Sequence, residues 1–230
     1  MKTPVVKCET LASYAQTILN KFPQNPALTA VAQKLGAAAT ALAAAQAAYV
    51  AAVRDIVTTR AEVKWNDHTS DDGVRKVQRD AESADGHKGG RIASAILPNG
   101  ITPIVKPVGS TQCQAMRDLE GRLEAMTASW PGASAAYQHI ASLRSEYEAA
   151  LAARQAAVQK ASNLRAARDL AKEDFLDVYA EATARVKAEF PRNRRMQELF
   201  FDKVWDTDAA EQSAEEEAEE PTGEGSGQGG

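Results

Sequence analysis

Leu28, Leu35, Leu42, Tyr49, Ile56 and Val63 fall seven residues apart without a break, and Val31, Ala38, Ala45 and Ala52 each follow three residues after one of the first four. Two apolar rows at that spacing form an a/d seam, which a lone helix leaves open to water and a second helix packed lengthwise closes. The pattern sets the fold class: all-α, an elongated antiparallel helical bundle or coiled coil of two long helices plus short ones, followed by a disordered acidic C-terminal tail. Between residues 37 and 52 the chain is mostly alanine. Alanine lets helices approach closely but removes little apolar area from water, so the larger seam residues must supply most of the burial.

The second long helix is marked by what is missing. From Ala133 to Glu189 there is neither Gly nor Pro, and as one helix that stretch would reach ~86 Å. Its seam runs Leu143, Tyr147, Ala150, Ala157, Ala161, Leu164, Ala171, Phe175, Val178 and Ala182, then drifts by one position to Val186 and Phe190. Such drift suits a nearly straight helix better than a long supercoil. The first long helix starts at Asn25-Pro26, where proline's missing N–H costs nothing. It runs to about Lys64 and continues to about Ala84 if the polar stretch 65–73 stays helical, since Ser70 and Val77 keep the phase.

Shorter elements complete the layout. Residues 8–21 read as a helix with Leu11, Tyr14, Ala15, Ile18 and Leu19 at helical spacing. Gly86, Gly89 and Gly90 break the chain, and Ile92 to Leu97 is a short apolar element. Pro98, Pro103 and Pro107 predict an ordered, extended crossover loop over 97–109. Ser110 or Thr111 then caps a helix to about Ser129, and a short apolar helix or hook closes the body at 196–205. The segment Ala41–Ala48 recurs as Ala150–Ala157, which suggests halves 23–96 and 131–205 joined by the loop 97–110, although alanine-rich helices converge on such patterns without duplication.

Charge separates along the chain. Residues 206–230 hold nine of the 31 acids and none of the 27 bases, so residues 1–205 carry 22 acids against 27 bases, a net of +5. Composition beyond Trp205 is Glu, Gly and Ser, which reads as a disordered tail serving solubility. Cys8 and Cys113 show no metal-ligand spacing and no disulfide framework, and Met1–Lys7 lacks the apolar core of a signal peptide, so a cytoplasmic protein is expected. The uncharged run Leu35–Val53 approaches membrane-spanning length, but the heptad passes through it and beyond Arg54, as in a packed soluble helix.

Motifs for chemistry are weak, and none predicts a catalytic residue, a cofactor or a metal. His68 and Asp72 would share a helix face, yet no Glu-x-x-His pair accompanies them. His139 lies one turn before Leu143 and reads as an ordinary helix residue. The run Asp85–Arg91 could cradle an anion if Arg91 opens a helix, although it is not a Walker A sequence. Arg192, Arg194 and Arg195 head a basic cluster that could bind an anion, and Arg75, Lys76 and Arg79 form a second. Ile101, Ile104, Val105 and Val108 in the Pro-rich loop, and Leu199, Phe200, Phe201 and Trp205 near the end of the body, are expected to fold back on the bundle. Wherever they stay exposed, they would dock a partner.

The expected role is therefore non-catalytic: a scaffold, assembly or structural component acting through a protein partner or self-association. Two other readings are a nucleic-acid-binding bundle whose acidic tail competes for its own basic patch, and a membrane-active helical protein. Membrane contact is the less expected of the two.

Overall fold

The computed structural model describes residues 4–201, and among them there are seven α-helices and no strand. They are α1 (Val5–Leu19), α2 (Pro26–Asp85), α3 (Arg91–Ile96), α4 (Thr102–Val105), α5 (Ser110–Ala125), α6 (Ala133–Glu189) and α7 (Arg194–Leu199). The helix over 133–189 has the bounds that the absence of Gly and Pro dictates. Trp205 and the tail 206–230 lie outside the described residues.

The chain divides into two compact units, one built from residues 1–47 with 166–230, the other from 48–165. Each takes part of both long helices, so neither coincides with a sequence half.

In the first unit α1 packs on the start of α2 and the end of α6. Asn25 launches α2: its Oδ1 accepts from the N–H groups of Ala27 (3.0 Å) and Leu28 (3.1 Å), and its Nδ2 donates to Glu189 Oε2 (3.2 Å). That bond and the Lys34–Glu181 pair at 2.7 Å set an antiparallel register for α2 and α6. The core is Cys8, Ala12, Ala15 and Leu19 of α1 against Leu28, Leu35 and Leu42 of α2 and Phe175, Ala182 and Val186 of α6. An aromatic cluster closes it. Phe22 stands 5.8 Å from Phe190 and 5.2 Å from Phe200, centroid to centroid. Helix α1 begins three residues earlier than the apolar spacing predicts and ends at Leu19, with Pro4 at its N-cap.

In the second unit α3, α4 and α5 gather on the end of α2 and the start of α6. Val74, Val77 and Ala81 of α2 meet Ile96, Ile104, Met116, Leu119, Leu123, Trp130 and Ile140. The polar stretch 65–73 stays helical, with His68 beside Asp72 at 3.4 Å and Arg75 paired with Asp71 at 3.3 Å on neighbouring turns. The Pro-rich segment departs from the extended loop expected of it. Residues 102–105 form one helical turn, with Pro103 in the first turn, where no backbone hydrogen bond is lost. Helix α5 starts at Ser110, but its N-cap is Gly109 at φ +68°, not a serine or threonine side chain. It stops at Ala125, where the Thr127 hydroxyl donates to the Glu124 carbonyl at 2.8 Å.

The seam is not uniformly closed. Leu28, Leu35 and Leu42 are fully buried, but Tyr49, Ile56 and Val63, on the same row, are only half-buried. In the 48–165 unit the α2–α6 pair is sealed along this stretch mainly by Ala52, Ala150, Ala157 and Ala161. Neither core cluster of the described residues includes them.

Candidate functional site

The densest polar constellation is a layer in the 48–165 unit where α2, α5 and α6 meet. Residues 67, 70 and 71 share one face of α2 by helical spacing. Tyr147 of α6 donates its hydroxyl to Asp67 Oδ1 (3.1 Å) and accepts the Gly109 N–H (2.8 Å). Gln112 of α5 donates to Asp71 Oδ1 (2.8 Å), whose other oxygen accepts from Arg75 (3.3 Å). Ser70 and Gln112 are fully buried, and Ser70 Oγ and Gln112 Oε1 have no protein partner.

Burial dominates the electrostatics of this layer. Burial pushes the Asp71 carboxyl up, with Arg75 opposing and Asp67 reinforcing the shift. Burial also drives the Tyr147 phenol up to about 12, against the Gly109 N–H that would lower it and with Asp67 adding to the rise. Below that layer Arg144 donates to both oxygens of Glu120 (2.6 and 3.2 Å) and to Glu148 Oε2 (2.9 Å). Those bonds, the Glu120 pair foremost, hold the guanidinium firmly protonated. The arrangement ties three helices together.

A testable consequence concerns alkaline pH. A phenol whose pKa is higher in the folded chain than in the unfolded one, near 10, favours folding while protonated. That contribution is complete below about pH 10 and is lost as pH rises towards about 12. Urea unfolding should show wild type converging on Tyr147→Phe across that window. A constant gap between the two would remove the role assigned to this hydroxyl.

The glycine-rich run 85–91 does open a helix at Arg91, as an anion cradle requires, but the chain fills it with its own carboxylate. Asp85 accepts from the N–H of Ile92 (3.0 Å) and of Ala93 (2.9 Å). Against the desolvation that would raise it, those two donors, with His87 and Arg91 nearby, hold the Asp85 carboxyl below its usual range. A Cβ on Gly90 would stand 2.4 Å from Asp85, so only glycine admits the contact.

The basic cluster is partly neutralised. Arg194 pairs with Glu198 at 2.7 Å and Arg185 with Glu189 at 3.2 Å, while Arg192 and Arg195 are exposed. In the second group Arg75 pairs with Asp71 and Asp72, and Lys76 with Asp80. Among the described residues no group of three or more His, Cys, Asp or Glu side chains could hold a metal ion.

The apolar candidates divide. Ile104 and Phe200 are interior, each carried into a core by the turn of helix around it. Ile101, Val105 and Phe201 are half-buried, Phe201 against Tyr179 with ring centroids 5.4 Å apart. Val108 and Leu199 remain exposed. Sequence reasoning passed over further exposed apolar residues, among them Val50, Val57, Trp65 and Val158. A count of outward-facing apolar positions on the long helices would have found them. Helix α2 also holds a stretch long and apolar enough to cross a membrane, of which little is buried. Leu35 and Leu42, however, fall in the uncharged run and are fully buried against α1 and α6.

No protein-family model matches this chain, and no curated protein and no solved structure matches it either.

Proposed function

We propose that this protein is a non-catalytic helical scaffold that works by associating with another protein. One observation carries the reading: the α2–α6 pair of the 48–165 unit leaves its seam residues Tyr49, Ile56 and Val63 half-open and exposes Val57 and Val158 beside them. Apolar side chains repeated along two adjacent helices favour a further helix over a small molecule. The partial neutralisation of Arg185 and Arg194 by glutamates weighs against a phosphate-binding role for the basic cluster. The polar layer around Tyr147, with its raised pKa, suits a structural role better than acid–base work.

A photoreactive amino acid placed in turn at positions 57, 108 and 199, each exposed, tests the reading in cells that make the protein. Discrete covalent adducts to protein are expected from at least one position. Adducts to nucleic acid or lipid alone would overturn it.

A further inference from the structure

The open part of the α2–α6 pair has two unlike sides. On one, Asp55 and Lys160 bridge the helices at 2.9 Å. Val57 comes two residues after Asp55 and Val158 two before Lys160, each turned roughly 200° about its helix from the bridge. The antiparallel register places them level with one another on the opposite side. There Val57 is 67% and Val158 47% exposed. Val50 and Val53 extend the strip along α2, and Leu151 along α6. Tyr147 precedes Val158 by three turns plus about 20°, so it shares that side, and it is the residue that holds the start of α5 through Gly109. Helix α5 thus begins on this side at one end of the strip, and the strip prolongs its path with Val50, Val57 and Val158 exposed among the described residues.

The rim is of one sign. Arg60, Lys64 and Arg154 border the strip. The acids of the stretch are turned elsewhere: Asp55 to Lys160 on the far side, Glu148 to Arg117 and Arg144, and Glu62 roughly 200° around α2 from Arg60. From this apolar strip with a basic rim, which runs about four helical turns along the pair, from Val50 to Val57 on α2 and on from Val158 to Leu151 on α6, we infer that it docks an amphipathic helix of a partner protein with acidic flanks. The inference rests on the association reading above and adds to it the site and the chemistry of the partner. An incoming helix with apolar residues at i, i+3 or i+4 and i+7 would complete a three-helix layer, as α1 and α5 do elsewhere, and its glutamates would meet the arginines at the edge.

The test uses the full chain and two synthetic helical peptides with the same leucine stripe, one flanked by glutamates and one by lysines. The glutamate peptide should bind saturably and roughly tenfold or more tighter than the lysine peptide, with the difference shrinking at high salt. Val57→Glu with Val158→Glu should lower its affinity by roughly tenfold or more. Both sites are exposed, so the helical circular dichroism and melting curve should be unchanged. Arg60→Glu with Arg154→Glu should reverse the preference towards the lysine peptide, which a merely unfolded variant would not do. Equal affinity for the two peptides, or binding of neither, would overturn the inference. So would oligomers of the chain, or binding to phosphatidylglycerol vesicles, that Val57→Glu abolishes, since these would assign the groove to a second copy or to lipid. Protein adducts from position 57 without a preference for the acidic peptide would refute the partner chemistry while leaving the scaffold reading standing; adducts to lipid or nucleic acid alone would remove both.

Discussion

Replacing Phe200 by alanine should lower the unfolding free energy by roughly 3–5 kcal/mol, whereas Leu199→Ala should change it by no more than about 0.5 kcal/mol. The two residues are neighbours of the same chemical kind at the end of α7. They differ in what surrounds them. Phe200 is fully buried between Phe22 at 5.2 Å and Phe190 at 5.7 Å, and truncating it opens a cavity that the flanking rings cannot fill without moving. Leu199 is 46% exposed, and only its backbone carbonyl is engaged, by the Tyr14 hydroxyl at 3.3 Å. Urea unfolding followed by circular dichroism distinguishes them. Equal effects would mean that α7 is not seated as described.

The second large effect is electrostatic. Arg144→Ala should destabilise the 48–165 unit by roughly 3 kcal/mol, and the double replacement Arg144→Met with Glu120→Leu should restore most of that loss. The Glu120 side chain is only 9% exposed, and both its oxygens accept from Arg144. Removing the arginine strands a carboxylate away from water. Removing both charges leaves two apolar side chains beside a core that already holds Leu119 and Leu123. A double variant as unstable as the single one would show that the pair stabilises through its geometry and not merely by mutual neutralisation.

What could be read in advance followed from rules that act along one helix. The limits of α6 are set by the absence of Gly and Pro between Ala133 and Glu189, and no tertiary knowledge is needed to place them. Burial of Leu28, Leu35 and Leu42 follows from their spacing in the same way. The heptad did not reveal where its partner stops covering it. Tyr49 sits on the row of Leu42, and its partial exposure depends on which other helices pack beside it, which the periodicity of α2 does not encode. Residues 65–73 were ambiguous for a related reason. Local composition argues for a turn, and the bonds that keep the stretch helical include Tyr147 to Asp67 and Gln112 to Asp71, 80 and 41 residues apart in sequence. The proline segment misled because Pro98, Pro103 and Pro107 were all weighed as helix breakers, although Pro103 occupies the one turn that tolerates it.

The candidate site was legible only in part. The basic clusters were visible as sequence runs, but their glutamate and aspartate partners at i+4 were not weighed against them, and those pairs decide how much free charge remains. The run 85–91 suggested an anion cradle only on the condition that Arg91 opens a helix, and it does. Its occupant, Asp85, was the first residue of the same run.

The two cysteines are buried one to each unit, Cys8 in the first turn of α1 and Cys113 in the first turn of α5. Burial raises both thiol pKa values, so neither side chain reacts readily until its own helix lifts away. The chain therefore carries a built-in pair of clocks: under native conditions the alkylation rate at Cys8 times the opening of one unit and that at Cys113 the opening of the other, so that the local stability of each can be followed separately in one unmodified sample.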